Sequence, residues 1–551
     1  MGPLIEQFGP LYLYGGGSDS FYHSRVMTSI IANHSNLVRD QLLNYPLTAV
    51  NPREPLFDWM NAISGMIFAP FFGGSAPVAS AWFLDLQGPL WAALGVFPVY
   101  LIGREVSSKR MGIVAAFLYP LMVANIDSST FGYANYLSFY TFFILLTIFG
   151  FLKTIRTTGT RRWVESYRHP RQIPNALRQF ARVERTSVKW AVFTGVSFGT
   201  LALAWQGYSF AVATIVIFLL FALIVERIRR VDSFGLYVNT WIVGLVGFPM
   251  AVPYFYPQGL FAGWFDLPLL VYFGALLVAL PFVMMRDSPW VVSIPVLLIV
   301  GGAAIGVLDL LDHQRFVNIV TGQGYFVKTL VYSTVAEAQA PSIDALILGY
   351  GVVTFFLAFV GLGLLVWRMT RQRFPRALMM FLVFGVISIY LPVSAAKFFY
   401  LGSAGFALLA AEGILRLLDV ATYPELRRTV GQLSDRRGKL QAFRKSFKAR
   451  HVLVMALVLV LVLPNIWYAV DAGIPYNSKS QYNQQIYNTL PSFLRPAPQN
   501  ASQFFLGAAG TQLDTPTQYD EAGYNWLSLQ DQNLPAPQRP AFISWWDYGF
   551  Q

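Results

Sequence analysis

Long apolar runs separated by short polar or basic segments dominate the pattern of this 551-residue chain. Each run has about 17 or more residues, which is enough for a helix to cross the hydrocarbon core of a bilayer. The pattern predicts an all-α polytopic membrane protein with about twelve spanning helices. We place the spans at 79–103, 110–126, 136–153, 189–206, 208–225, 234–253, 264–284, 289–309, 343–367, 376–394, 397–415 and 451–471.

Composition supports this interpretation and narrows the possible functions. The chain is 55% hydrophobic and 12% charged, whereas soluble domains are about 25% charged. The absence of cysteine excludes disulfides, thiolate metal sites and cysteine nucleophiles. The net charge of +12 comes from basic residues that lie between the apolar runs, which favours positive cytoplasmic loops over a nucleic-acid surface.

Basic residues fall on alternate loops, and this predicts the orientation of the chain. With the spans above, five clusters lie on one side, which the positive-inside rule assigns to the cytoplasm. The clusters are within 104–110, 153–185, 227–230, 368–376 and 416–450. The remaining loops are then external. We therefore divide the chain into an external acidic loop (1–78), a transmembrane domain (79–471) with an external loop at 310–342, and the start of an external soluble domain (472–551).

The last residues contain Trp545-Trp546-Asp547-Tyr548-Gly549. Trp and Tyr are common at membrane interfaces, but an acid between aromatic residues also favours a pocket with one polar wall. The pentapeptide resembles the signature of the catalytic subunit of oligosaccharyltransferase in its single-subunit archaeal form. The resemblance implies the C-type glycosyltransferase transmembrane fold. It also implies transfer of an oligosaccharide from a dolichyl phosphate or pyrophosphate to Asn of acceptor polypeptides, with this motif binding the Ser/Thr hydroxyl of Asn-X-Ser/Thr.

Two acids match catalytic positions of that family. Asp19 lies in Gly-Ser-Asp-Ser-Phe-Tyr-His within the first external loop, and Glu337 follows Thr334 in Thr-Val-Ala-Glu within the loop 310–342. From the sequence alone, Asp19 could be a turn residue and Glu337 a solvated loop residue. The resemblance implies that Asp19 binds the metal and the acceptor. It also implies that Glu337 binds the amide of the acceptor Asn, with Thr334 beside it.

Three residues match positions near the lipid-linked donor. Lys397 stands where the family usually has an Arg that binds the donor phosphates, and Trp205 and Tyr136 match neighbours of the donor. Lysine keeps the charge but loses the bidentate fork of arginine. A lysine at a membrane interface and an interfacial tryptophan are the alternative interpretations.

The second acidic motif of the family is altered in this chain. Asn135 stands where a metal-binding Asp is expected, Leu137 where the second ligand is expected and Ser128 where Arg is expected. The resemblance implies a divalent cation, Mn²⁺ or Mg²⁺, held by Asp19 and the degenerate Asn135. Leucine cannot bind a hard cation and a neutral amide binds it weakly, so we expect weak or absent transfer activity.

The resemblance also implies further segments at the two ends of the chain. The family has a spanning helix before the first acidic loop and a globular domain after the Trp-Trp-Asp-Tyr-Gly motif. We expect this chain to be a fragment, or a paralogue that lacks both.

Three other functions remain open at this point. A protein mannosyltransferase would share the architecture but has no reason to carry the terminal motif. A transporter would need charged residues at mid-membrane, whereas Asp85, Asp266, Asp309 and Glu412 lie near the ends of the predicted spans. A non-catalytic paralogue that binds lipid-linked sugar or peptide is compatible with the altered second motif.

Overall fold

The structure is a computed structural model. It describes residues 18–41, 48–51, 53–167, 171–259, 265–312, 338–420, 428, 430–432, 435–474, 476–495, 497 and 506–507. The helices are α1 Ser18–Asn33, α2 Pro55–Phe68, α3 Ala76–Val106, α4 Lys109–Leu118, α5 Val123–Asp127, α6 Leu137–Thr157, α7 Gln172–Val183, α8 Arg185–Ala204, α9 Ser209–Ile228, α10 Phe234–Phe255, α11 Asp266–Met284, α12 Trp290–Leu311, α13 Ile343–Tyr350, α14 Val352–Arg371, α15 Arg376–Ser394, α16 Phe399–Val420, α17 Arg436–Ser446, α18 Ala449–Gly473 and α19 Tyr476–Thr489. Two short strands, β1 Arg39–Asp40 and β2 Ala49–Val50, pair antiparallel.

Eleven helices in the described part of the chain are long and apolar enough to cross a membrane, and the prediction of an all-α polytopic membrane protein is confirmed. Burial separates the helices into a centre and a periphery. The apolar stretches of α6 and α16 are 78% and 89% buried, whereas those of α12 and α18 are 11% and 6% buried. Because α12 and α18 are apolar yet exposed, we assign their outer faces to lipid.

The second predicted span, 110–126, is wrong as a single helix. The α4 helix ends at Leu118, a 3₁₀ turn covers Tyr119–Leu121, and α5 has only five residues. Pro120 has no N–H to continue the helix, and Met122 is extended with a ψ of 130°. The proline therefore breaks a run that hydropathy alone treats as continuous.

The broken segment still crosses the bundle. At one end Gly112 packs against Gly103 of α3. At the other end the N–H of Gly132 donates to the carbonyl of Asp85, 3.2 Å away. Positions 85 and 103 of α3 are about 27 Å apart along the helix axis. The segment thus adds a crossing to the eleven long helices, as the alternation of basic loops requires.

The predicted span 343–367 divides into α13 and α14 at Gly351. This glycine has a φ of 83°, a conformation that other residues rarely adopt. A Cβ at this position would lie 2.2 Å from the side chain of Asn465. The Asn465 amide in turn donates to the carbonyl of Tyr350, 3.1 Å away. The glycine therefore allows α18 to pack directly on the break, and only α14 is long enough to span.

Basic residues of the predicted cytoplasmic loops meet at one end of the bundle. Glu105, near the end of α3, pairs with Lys153 at 3.2 Å and with Arg156 at 3.0 Å. Arg368, at the end of α14, donates to the hydroxyl of Ser107 over 2.9 Å. These contacts join the clusters at 104–110, 153–185 and 368–376.

The two remaining basic clusters join the same end. Arg229 donates to the carbonyl of Phe374 over 3.2 Å. Glu412 pairs with Arg368 at 3.2 Å and lies 3.9 Å from Arg416. The described residues of the five basic clusters therefore share one end of the bundle, and the other ends of the spanning helices lie opposite.

Candidate functional site

The predicted acidic loop presents its polar residues from the first turns of α1. Asp19 and His23 are four residues apart, so they lie on the same face of this helix. His23 is fully buried, and its Nδ1 lies 2.6 Å from the Asp58 carboxylate of α2. The side chain of Asp19 is 16% exposed. The face therefore combines a buried His–Asp pair with a carboxylate that solvent can reach.

Arg53 lies against this face and was not among the residues that sequence reasoning selected. Its guanidinium pairs with the Asp19 carboxylate, and its Nη1 donates to the hydroxyl of Tyr136 over 3.2 Å. The guanidinium also lies 5.6 Å from the centre of the Tyr136 ring. The same ring meets the His23 imidazole edge to face, with centroids 5.2 Å apart. Tyr136 thus connects the Asp19–Arg53 pair with the His23–Asp58 pair.

Trp205 and Lys397 lie in two tight turns that have nearly the same backbone. Each turn joins two spanning helices through an extended residue and a three-residue 3₁₀ helix. The extended residues are Trp205, with φ −160° and ψ 129°, and Ala395, with φ −157° and ψ 140°. The Trp205 ring stacks on Tyr140 of α6, with centroids 4.1 Å apart and planes at 7°. Burial raises the pKa of the Tyr136 hydroxyl, and the positive charges of Arg53 and Lys397 oppose that rise.

The structure therefore brings four of the sequence-selected residues to one end: Asp19, Tyr136, Trp205 and Lys397. This end is the one opposite the basic clusters. The N–H of Ala396, next to Lys397, donates to the carbonyl of Gln339 over 2.9 Å. Gln339 is two residues after Glu337 in the chain, so the described end of the loop 310–342 is attached beside Lys397.

Asn135 is buried and its side-chain oxygen has no hydrogen-bond partner among the described residues. Leu137 is the first residue of α6. Neither position supplies a charged ligand. Other selected residues lie outside the part of the chain that the structure describes: Thr334, Glu337, Trp545, Trp546, Asp547, Tyr548 and Gly549.

Glu54 is a second acid that sequence reasoning missed. It lies at the N-terminal end of α2, beside Arg53, and only 5% of it is exposed. Burial raises the pKa of the Glu54 carboxyl to about 7, and the positive charge of Arg53 opposes that rise. The place of His23 could have been anticipated from its four-residue spacing from Asp19, whereas its partner Asp58 lies 35 residues further along the chain. No local sequence motif marks Arg53 or Glu54, because tertiary contacts alone bring them to this face.

Replacing Glu54 with Gln should increase stability at high pH. The folded pKa of about 7 lies above the ordinary value of 4.5, so folding favours the protonated acid. The contribution of the protonated Glu54 to the free energy of unfolding is complete below about pH 4.5. As the pH rises toward 7, this contribution falls by about 3 kcal/mol. Glu54→Gln removes that decline. We expect the two proteins to melt alike at about pH 4 and the variant to melt higher at about pH 8, measured by tryptophan fluorescence in detergent. Equal melting temperatures at pH 8 would contradict the assignment.

Comparison with known proteins identifies the fold and the family of this chain. A curated relative, dolichyl-phosphooligosaccharide-protein glycotransferase 2 of Archaeoglobus fulgidus, is 24% identical over 99% of this chain and 75% of its own length. The structure of archaeal oligosaccharyltransferase AglB from A. fulgidus, in complex with an inhibitory peptide and a dolichol-phosphate, superposes with a TM-score of 0.68. The two sequences are 18% identical, and the superposition covers 98% of this chain and 59% of the AglB chain. This chain therefore spans about three fifths of the solved protein that it matches.

A second structure of the A. fulgidus oligosaccharyltransferase, a complex with Zn and sulfate, has a TM-score of 0.57 and 17% identity over 92% of this chain and 56% of its own. The fold of this chain is therefore that of a membrane glycosyltransferase. The family model described as oligosaccharyl transferase STT3, N-terminal, matches residues 13–464. Because the match covers most of the chain, this multi-pass membrane protein belongs to the oligosaccharyl transferase STT3 family.

Proposed function

We propose that this chain transfers an oligosaccharide from a dolichyl phosphate or pyrophosphate to Asn in Asn-X-Ser/Thr sequons. The observation that carries the proposal is the meeting of Asp19, Tyr136, Trp205 and Lys397 at one end of the bundle, in a chain whose residues 13–464 match the STT3 family. The AglB relative forms a complex with an inhibitory peptide and a dolichol-phosphate, and the A. fulgidus oligosaccharyltransferase has also been solved tethered with an acceptor peptide that contains the NVT sequon. These are the classes of lipid and peptide proposed here.

The donor phosphate would lie beside Lys397, between the two tight turns. Lys397 is the middle residue of the 3₁₀ turn Ala396–Phe398 that leads into α16, and its positive charge opposes the rise that burial causes in the pKa of Tyr136. Trp205 is held by its stack on Tyr140, so its ring forms a rigid wall at the other turn. A cation and an aromatic wall suit a phosphate that carries a sugar and a polyprenyl chain.

The acceptor amide needs help because its nitrogen lone pair is delocalised into the carbonyl. Asp19 and Glu337 would each accept one amide N–H and favour a twisted, more nucleophilic amide. The hydroxyl of Ser or Thr would hydrogen-bond to Asp547 and to the indoles of Trp545 and Trp546. A site built to bond a hydroxyl rejects a substrate that lacks it.

One displacement then completes the transfer. The amide nitrogen forms a bond to the anomeric carbon as the bond from that carbon to the phosphate oxygen breaks. The electron pair of the broken bond stays on the phosphate, and the nitrogen releases one proton to a neighbouring carboxylate or to water. Attack opposite the leaving group inverts the anomeric carbon. Positive groups beside the leaving phosphate stabilise its developing charge.

A divalent cation, Mn²⁺ or Mg²⁺, remains a prediction from the family resemblance, and the residues present do not fit it. Within the described ranges, no group of three His, Cys, Asp or Glu side chains is placed to hold a metal. Asp19 is paired with Arg53, Asn135 offers a neutral oxygen, and Leu137 offers no ligand. No step of the transfer is therefore assigned to a metal.

We place this end of the bundle on the exterior face of the cell membrane, because the five basic clusters at the other end follow the positive-inside rule. The native chain has no cysteine, so single cysteines report the orientation. Ser35→Cys should react with a membrane-impermeant thiol reagent in intact cells, whereas Gln441→Cys should react only after lysis; both positions are exposed. The opposite labelling pattern would reverse the topology.

A non-catalytic paralogue that binds lipid-linked sugar or peptide is the second candidate. The observation that favours it is the altered second motif, with Asn135 and Leu137 in place of acidic or His ligands. Such a protein would bind donor or peptide without joining them.

Acceptor discrimination tests the proposed function. Purified full chain is mixed with dolichyl-linked oligosaccharide and fluorescent peptides that differ only in Asn-Val-Thr, Gln-Val-Thr or Asn-Val-Val. We expect a slower-migrating glycopeptide with the first peptide alone. Binding of the first peptide without a product would favour the paralogue, and modification of all three peptides would contradict sequon recognition.

A further inference from the structure

We propose that Arg53 is a built-in cation at the Asp19 centre, which binds the donor phosphate in place of a divalent metal. The phosphate part of this inference rests on the proposed function, whereas the occupation of Asp19 by Arg53 does not. The contact joins α1 to the loop before α2, and Asp19 and Arg53 are 34 residues apart in the chain.

The carboxylate that would anchor a metal is already neutralised. The guanidinium of Arg53 contacts Asp19 directly, and both side chains are 16% exposed. A divalent cation would need the same carboxylate oxygens at about 2.0–2.6 Å, where it would repel the guanidinium. Since Asn135 and Leu137 add no negative charge, the balance at this site favours the arginine.

Side chains of neighbouring segments bind the backbone of Arg53 and hold it in this place. The Arg53 N–H donates to the side-chain oxygen of Asn51 over 2.9 Å, and the Tyr22 hydroxyl donates to that same oxygen over 3.2 Å. The Arg53 carbonyl accepts from the Tyr254 hydroxyl of α10 over 3.1 Å. Three parts of the chain, α1, the segment after β2 and α10, therefore fix the position of the arginine.

The side chain of Arg53 retains donors for an anion. Its Nη1 donates to the Tyr136 hydroxyl and its Nη2 to Asp19. Its buried Nε has no acceptor among the residues described. Guanidinium groups bind phosphate through paired N–H donors and remain charged at any physiological pH. The positive charges of Arg53 and Lys397 both oppose the rise that burial causes in the pKa of Tyr136, so the two cations lie near the same ring.

The arrangement also explains why the altered second motif need not abolish function. A metal site that loses its ligands normally loses its positive charge. Here a positive charge remains because the Arg53 guanidinium is part of the chain itself. Arg53 would then neutralise Asp19 in the resting protein and face the phosphate when the donor is bound.

The experiment has two readouts on the purified full chain. Mn²⁺ binding is followed by electron paramagnetic resonance, and affinity for dolichyl phosphate is measured with and without EDTA. We expect no stoichiometric Mn²⁺ binding and an affinity for dolichyl phosphate that EDTA leaves unchanged. Arg53→Gln should weaken that affinity about tenfold or more, and Arg53→Lys should restore part of it.

Arg25→Gln is the matched control, because Arg25 forms a bidentate pair with Asp40 in the same segment at 2.8 and 2.7 Å. It should leave the affinity for dolichyl phosphate unchanged. Stoichiometric Mn²⁺ binding by the unmodified chain, loss of lipid binding in EDTA, or unaltered affinity in Arg53→Gln would overturn the inference. If the folded, unmodified chain binds no dolichyl phosphate under any condition, the proposed function fails, and the phosphate role of Arg53 fails with it.

Discussion

Replacing Asp19 with Asn is expected to lower the rate of oligosaccharide transfer by about 100-fold or more. The substitution keeps the size of the side chain but removes its negative charge. It leaves the Arg53 guanidinium without its carboxylate partner and leaves the acceptor amide without one of its two acidic acceptors. Initial rates at saturating donor and peptide measure the effect.

Asp435→Asn is the matched control for this substitution. Asp435 lies before α17, at the basic end, and accepts a hydrogen bond from the N–H of Gly438 over 2.9 Å. Asparagine caps a helix about as well as aspartate, so transfer should be unchanged. Equal rates for Asp19→Asn and Asp435→Asn would remove Asp19 from the mechanism.

The largest loss of stability is expected from Arg376→Ala. The Arg376 guanidinium pairs with the buried Glu226 carboxylate and donates to the carbonyl of Thr158 over 3.1 Å. The Glu226 side chain is 3% exposed. Removing the arginine leaves a buried negative charge without its partner, which typically costs about 3–5 kcal/mol. Denaturation in mixed detergent, followed by tryptophan fluorescence, measures the change in the free energy of unfolding.

Two further variants separate charge from packing at this pair. Glu226→Gln combined with Arg376→Met removes both charges and should recover much of the stability. Arg416→Ala removes a weaker partner, since Arg416 lies 3.9 Å from Glu412 and is 35% exposed, and should cost about 1 kcal/mol or less. If Arg376→Ala is no more destabilising than Arg416→Ala, Arg376 does not hold the basic end together.

Hydropathy predicted most of the fold because lipid exposure requires continuous apolar runs. It failed at 110–126 and at 343–367, where single residues change the backbone. Pro120 removes an N–H from the helix, and Gly351 takes a φ of 83° that lets Asn465 approach. Such breaks alter the average hydropathy very little.

The site was predictable only where residues lie in a local motif. Asp19 precedes aromatic residues and His23, and Trp205 and Lys397 lie at the turns between spans. Arg53 was missed because its position depends on contacts with α1 and with Tyr136, 83 residues away. Its presence alters the expectation of weak transfer that followed from Asn135 and Leu137, because the chain itself supplies a cation.

The ratio of glycopeptide formed to dolichyl phosphate or pyrophosphate released tests the central claim most directly. Both products are quantified in one reaction of the purified full chain with dolichyl-linked oligosaccharide and an Asn-X-Thr peptide. Transfer predicts equal amounts of the two products, rising together with time. Release of the lipid product without glycopeptide, or neither product despite bound donor and peptide, would contradict the account.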